Sequence, residues 1–178
     1  MYRHRELTPD QTLAIVSERF SRGFPAHSPP HQVRVSGTYL LTAACYEHAC
    51  HMSSAARRSE LLAQLAEGMA LIAWVVLPNH YHLLAEVADI AATGRALGRI
   101  HGALSRRWNA EDGTPGRRVW YRYTDRAIRS ERHYYTALNY LHYNPVKHGW
   151  VKSPNEWAES SLGEYLAAFG REGLKVVD

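Results

Sequence analysis

Residues 80–82 read His-Tyr-His within the stretch WVVLPNHYHLL. Histidines two apart on a strand send both imidazoles to the same face. Two imidazoles on one face chelate a divalent ion that a single one holds poorly. Tyr81, between them, points to the other face. The same spacing also serves histidines that only satisfy local hydrogen bonds. Leu84 fills the acidic position of the H-x-H-x-D hydrolase pattern, which argues against that class.

A second constellation, RHYYTALNYLHYNPVKHGW, spans residues 132–150 and holds four candidate tyrosine nucleophiles: Tyr134, Tyr135, Tyr140 and Tyr143. Tyr140 and Asn144 are four apart, so on a helix a phenol oxygen and an amide oxygen can approach one ion together. Tyr134, Leu138 and Leu141 share a different side and read as core. Packing remains the commoner role for any single helical tyrosine. Cys45 and Cys50, with His48 and His51, form a C-x2-H-x-C-H cluster that matches no common zinc module. It reads as a strand end and its loop, and two cysteines fit a reducing compartment.

The elements that must position these residues follow from periodicity. Residues 37–45 have strand composition, and Ser53 or Ser54 caps a helix to about Glu67. Residues 71–77 form a strand covered on both faces, Pro78-Asn79 turns, and residues 80–87 return as a strand. A helix from about Ile90 to Trp108 places Leu97, Ile100, Leu104 and Trp108 on one side and Arg95, Arg99 and Arg106 on the other. Residues 119–124 are a fourth strand. Ser130 and Glu131 open a helix that should end near Tyr143, because Asn144 precedes Pro145. The order predicts an α+β fold: a ferredoxin-like antiparallel sheet with helices packed on one face. Residues 1–34 read as an extension with a short helix after Thr8-Pro9 and a proline-rich linker. Residues 35–150 form the main domain, and residues 151–178 a tail with a short helix packing on it.

Of 178 residues, 46% are hydrophobic, enough for one core, and the longest apolar run is too short to cross a bilayer. The expected setting is cytoplasmic, with no membrane partner. Net charge is only +4, but residues 95–132 carry ten arginines against four acids. Arginine's planar fork suits phosphate oxygens, so a nucleic-acid backbone is a natural partner, with a solvated charged face as the plainer alternative.

Taken together, WVVLPNHYHLL resembles the histidine-hydrophobe-histidine (HUH) strand of single-tyrosine transposases, and NYLHYNPVKHGWV resembles the tyrosine helix of the REP-associated branch. WYRYTDRAIRSERHY and EWAESSLGEYLA are similar to that branch's connecting segment and tail, so the resemblance covers about residues 35–168. It implies that His80, His82 and Asn144 hold a divalent ion, Mg2+ or Mn2+, and that Tyr140 is the nucleophile. Two departures stand out: Tyr81 occupies the hydrophobic position, and the first strand lacks the usual arginine-rich ending. The implied activity is metal-dependent cleavage and joining of single-stranded or hairpin DNA, REP-like palindromes included, through a 5′-phosphotyrosine. Arg95, Arg99, Arg106, Arg122, Arg126, Arg129 and Lys147 would hold the DNA, and Trp120, Tyr121 and Tyr123 would stack on unpaired bases. A hairpin-DNA-binding regulator without turnover and a metal-dependent RNA-processing nuclease are the competing classes. A self-sufficient monomer is favoured slightly over a dimer that exchanges tyrosine helices.

Overall fold

The computed structural model describes residues 36–170. The N-terminal helix expected after Thr8-Pro9 and the end of the tail lie outside the described residues. Four strands, β1 (Gly37–Ala44), β2 (Ala70–Val76), β3 (His80–Val87) and β4 (Thr124–Ala127), form one antiparallel sheet in the order β2-β3-β1-β4. Helices α1 (Ala55–Gly68) and α2 (Ile90–Glu111) follow β1 and β3, giving the β-α-β-β-α-β order of a ferredoxin-like plan. Among the described residues no helix is long and apolar enough to cross a membrane.

Local chemistry sets the helix starts. Ser54 Oγ accepts from the Arg57 amide at the head of α1, and Asp89 Oδ1 accepts from Ala91 and Ala92 at the head of α2. Ser130 does the same for His133 at the head of α3 (Glu131–Lys147). The central strand β3 is buried at every position except Glu86, and its alternation feeds two cores. Tyr81, Leu83 and Ala85 meet Leu61 and Leu65 of α1 and Leu97 and Leu104 of α2. Leu84, on the opposite face, meets Ala137, Leu138 and Leu141 of α3. The expectation of helices on one face therefore holds for α1 and α2 and is corrected for α3. The reason lies in β2 and β3, which are apolar on both sides and need a cover on each.

Two boundaries also differ from the sequence reading. The fourth strand is Thr124–Ala127, beyond residues 119–124, although Trp120 bridges Cys45 and the Tyr121 amide donates to Ala44. Trp120 and Tyr123 both pack toward α2. They are three apart, and strict alternation cannot send both to one face, so pairing breaks between them. Gly94 makes room for Tyr123, since a Cβ there would lie 2.5 Å from the hydroxyl. Helix α3 runs through Pro145 to Lys147 rather than stopping at Tyr143. Proline so near the C-terminal end removes only one helical bond. Burial of Leu141, Asn144 and Pro145 against the sheet offsets that loss.

The tail runs along the outer strand β2. Val76 and Ser161 exchange backbone bonds with Glu159 and Trp74, and Ser161 Oγ sits between Trp74 and His142 Nε2. Arg58, nearly buried, donates to the Met52 and Ser53 carbonyls and pairs with Glu159 at 2.9 Å. Helix α4 (Leu162–Phe169) adds Tyr165, whose hydroxyl donates to the Ile72 carbonyl. The tail thereby covers a strand edge and clamps α3 against the sheet.

Candidate metal and nucleophile site

His80 and His82 leave β3 on the face covered by α3, and both are buried, at 8% and 4% exposure. Their ring centroids are 5.1 Å apart. Asn144, fully buried on α3, brings its Oδ1 to 2.9 Å from His80 Nε2. Tyr140, one turn earlier, sets its ring 5.1 Å from that of His82 while remaining 38% exposed. Lys147 Nζ lies 4.7 Å from the centre of the Tyr140 ring. Tyr134 and Tyr135 pack with the second core instead, and Tyr143 is turned outward at 56% exposure.

The protons can be assigned by following the hydrogen bonds. Asn79 Nδ2 donates to the His48 carbonyl, so its Oδ1 faces His80 Nδ1 at 2.7 Å and accepts a proton from it. His80 Nε2 is then a bare lone pair, and it faces the Asn144 amide oxygen. Two acceptors 2.9 Å apart repel unless a cation joins them or the amide turns over. His82 Nδ1 meets Thr42 Oγ1 at 2.7 Å, and its Nε2 is buried without a partner. An unpartnered Nε2 on buried His82, beside a His80 Nε2 that faces an amide oxygen, fits a divalent cation. Among the described residues no cluster of three His, Cys, Asp or Glu is arranged for a metal. Asn144 Oδ1 offers an oxygen donor beside the histidine pair.

Burial lowers the pKa of His80 to about 4 and that of His82 to about 3. Neighbouring His148 adds to the effect on both, its ring lying 4.8 Å from that of His80. Both imidazoles are thus neutral at pH 7, as metal ligation requires. Asn79 fixes the tautomer of His80, and residues that hold a metal-ligating histidine in this way typically carry 10–100-fold in metal affinity. Asn79→Ala is expected to weaken Mn2+ binding by about tenfold or more in calorimetry. Unchanged affinity would remove Asn79 from this role.

The remaining residues expected from sequence are spread more widely. Arg95, Arg99 and Arg106 are exposed on α2, which covers the opposite face of the sheet from the histidine pair. Arg122, Arg126 and Arg129 are exposed around β4 and the entry to α3, on the strand beside β1. Trp120 is buried and stacks on His101 at 4.3 Å, and Tyr123 is packed against α2, so neither offers a free face. Tyr121 is exposed, 5.0 Å from Tyr46, with Arg118 over both rings. Cys45 is buried at the end of β1, where burial pushes its thiol up to about 12, while Cys50 is exposed. Sequence reasoning missed Asn79, Thr42 and His148. Asn79 directly precedes the histidine pair and His148 continues the Tyr140–Asn144 spacing, whereas Thr42 required the strand register.

The sheet is four-stranded and ferredoxin-like, and the histidine pair on a central strand faces the helix that carries Tyr140 and Asn144. The fold is similar to that of the REP-associated tyrosine transposase solved bound to a REP hairpin, with a TM-score of 0.63 and 22% identity over 85% of this chain and 92% of that one. In sequence the chain is 31% identical over 111 residues to the REP-associated tyrosine transposase of Escherichia coli (strain K12), covering 60% of this chain and 59% of that protein. A protein of Haemophilus influenzae, under a provisional form of the same name, is 31% identical over 105 residues, or 51% of this chain and 57% of its own length. The chain thus spans somewhat under three fifths of the length of these curated relatives. No family model matches it.

Proposed function

We propose that the chain is a transposase-type enzyme that nicks and rejoins single-stranded or hairpin DNA through a covalent tyrosine intermediate. One observation carries this reading: an accessible tyrosine stands 5.1 Å, ring to ring, from a buried neutral imidazole whose outer nitrogen lacks a partner. His80, His82 and Asn144 would hold the ion, Mg2+ or Mn2+. When bound, such an ion polarises the scissile phosphate as a Lewis acid.

The Tyr140 phenol oxygen attacks the phosphorus, forming a P–O bond as the bond to the upstream 3′ oxygen breaks. The phenol proton passes to solvent, and the departing 3′ oxygen takes one up. The products are a 5′-phosphotyrosine and a free 3′-hydroxyl. A second 3′-hydroxyl reverses these exchanges and restores the tyrosine, so joining needs no ATP. Lys147, above the Tyr140 ring, supplies positive charge where the phosphate must approach. Exposed Arg122, Arg126 and Arg129 would follow the backbone, and Arg95, Arg99 and Arg106 would hold a more distant part of the DNA. All four core residues come from one chain, and the tail holds their helix in place, which favours a self-sufficient monomer. A structural relative's complex with a REP hairpin supports hairpin DNA as the substrate class.

The test is incubation with hairpin oligonucleotides and Mn2+, followed by a denaturing gel. A covalent protein–DNA adduct is expected, and cleavage without adduct would overturn the mechanism. Tight binding with neither product would instead favour a regulator that has lost turnover.

A further inference from the structure

Beside Tyr140 lies a groove of about 350 Å³ between α3 and the β1–β4 side of the sheet. Leu40 forms part of its apolar lining, and Thr124, Arg126 and Thr136 contribute polar groups, with His82 and Tyr140 at the catalytic end. The strand register explains the arrangement. His82 is opposite Thr42, Thr42 is opposite Thr124, and Leu40 is opposite Arg126. Neighbouring strands are about 4.8 Å apart, so Thr124 stands two strands, roughly 10 Å, from His82 on the same face. Arg126 follows Thr124 on that face.

We infer that this groove is the subsite for the unpaired nucleoside whose 5′ phosphate is transferred to Tyr140. The inference rests on the reading of Tyr140 as nucleophile and adds what that residue's DNA partner must occupy. After cleavage this nucleoside is tethered to the phenol oxygen through one phosphate, so it cannot leave the neighbourhood of the Tyr140 ring. The volume is at the small end of ligand pockets and suits one nucleotide, with no room for a base pair. The groove has an apolar side for a base or sugar face and an arginine for the next phosphate along the strand. Thr136 Oγ1 donates its proton to the Arg132 carbonyl at 2.8 Å, which leaves it only acceptor capacity. It therefore favours a base edge that presents an N–H.

The probe is a pool of hairpin oligonucleotides with randomised single-stranded flanks. Covalent adducts are isolated in Mn2+ and the DNA attached to the protein is sequenced. Wild-type adducts are expected to show a base preference at the first nucleotide attached to the tyrosine. Thr136 is exposed on α3, so Thr136→Trp fills the groove without disturbing the core. That variant is expected to lower adduct yield at least tenfold or to change the preference at that nucleotide, with Mn2+ affinity and thermal melting unchanged. Arg126→Ala should lower the yield without altering the preference. Wild-type yield and preference in Thr136→Trp would overturn the subsite and leave the nucleophile intact. Absence of any wild-type adduct would overturn the nucleophile reading, and the subsite with it.

Discussion

Tyr140→Phe is expected to abolish the covalent protein–DNA adduct while leaving the fold and Mn2+ affinity unchanged. The substitution removes one oxygen from a side chain that is 38% exposed. The ring can keep its contacts with His82 and with Lys147. Loss of a nucleophile removes the covalent route altogether, so the fall in strand-transfer rate should be on the order of 10⁴-fold or more. Tyr143→Phe is the control: that side chain is 56% exposed and turned away from the histidines, so activity should stay within about twofold. An adduct that survives Tyr140→Phe and disappears in Tyr143→Phe would move the nucleophile by one turn of helix. Single-turnover assays with an end-labelled hairpin separate these outcomes, because adduct and free 3′-hydroxyl product are counted independently.

The second large effect concerns acid. Burial pushes His101 and His142 down to about 4, as it does His80, while His82 falls to about 3. All four are therefore held neutral by folding, whereas the unfolded chain takes up their protons near pH 6.5. With folded pKa values below unfolded ones, the unfolded state binds more protons as pH falls from about 6.5 to 4. The stability contribution is thus intact above pH 7 and drains away across that window. At pH 5 each histidine accounts for about 2 kcal/mol, roughly 8 kcal/mol for the four. That rivals the whole stability of a typical domain, about 5–15 kcal/mol. Urea unfolding followed by circular dichroism, with a chelator present, should show the midpoint falling steeply between pH 7 and pH 5. A flat midpoint would sink the argument. A saturating divalent ion should restore part of the loss at pH 6, since it binds only the neutral, folded pair.

Most of the fold could be read from periodicity. The bounds of β3 follow from Pro78-Asn79 and the change of pattern after Val87, and α1 and α2 begin at Ser54 and Asp89 as short polar caps should. What escaped was set by tertiary packing. Helix α3 crosses the sheet face that the crossover helices leave bare, a decision made by the two-sided apolar character of β2 and β3 together. Its passage through Pro145 depends on burial that no local rule contains, yet it is what keeps Asn144 one full turn from Tyr140. In the site, alternation alone gave the shared face of His80 and His82, while their proposed role and that of Tyr140 needed the motifs around them. Thr42, Thr124 and Arg126 were invisible as neighbours of the site because strand register is a long-range property.

The alternation His80-Tyr81-His82 has one more consequence, which concerns folding fidelity. Tyr81 is fully buried on the far face, where its hydroxyl meets His101 Nε2 at 2.8 Å. A slip of β3 by one residue would exchange the two faces. It would drive two imidazoles into the apolar layer against α1 and α2 and leave a phenol where the proposed ion would be held. Both faces would lose the hydrogen bonds of the native register, so the misregistered sheet is penalised on both sides at once. The residues that would bind the ion thus also proofread the pairing of the strand that carries them.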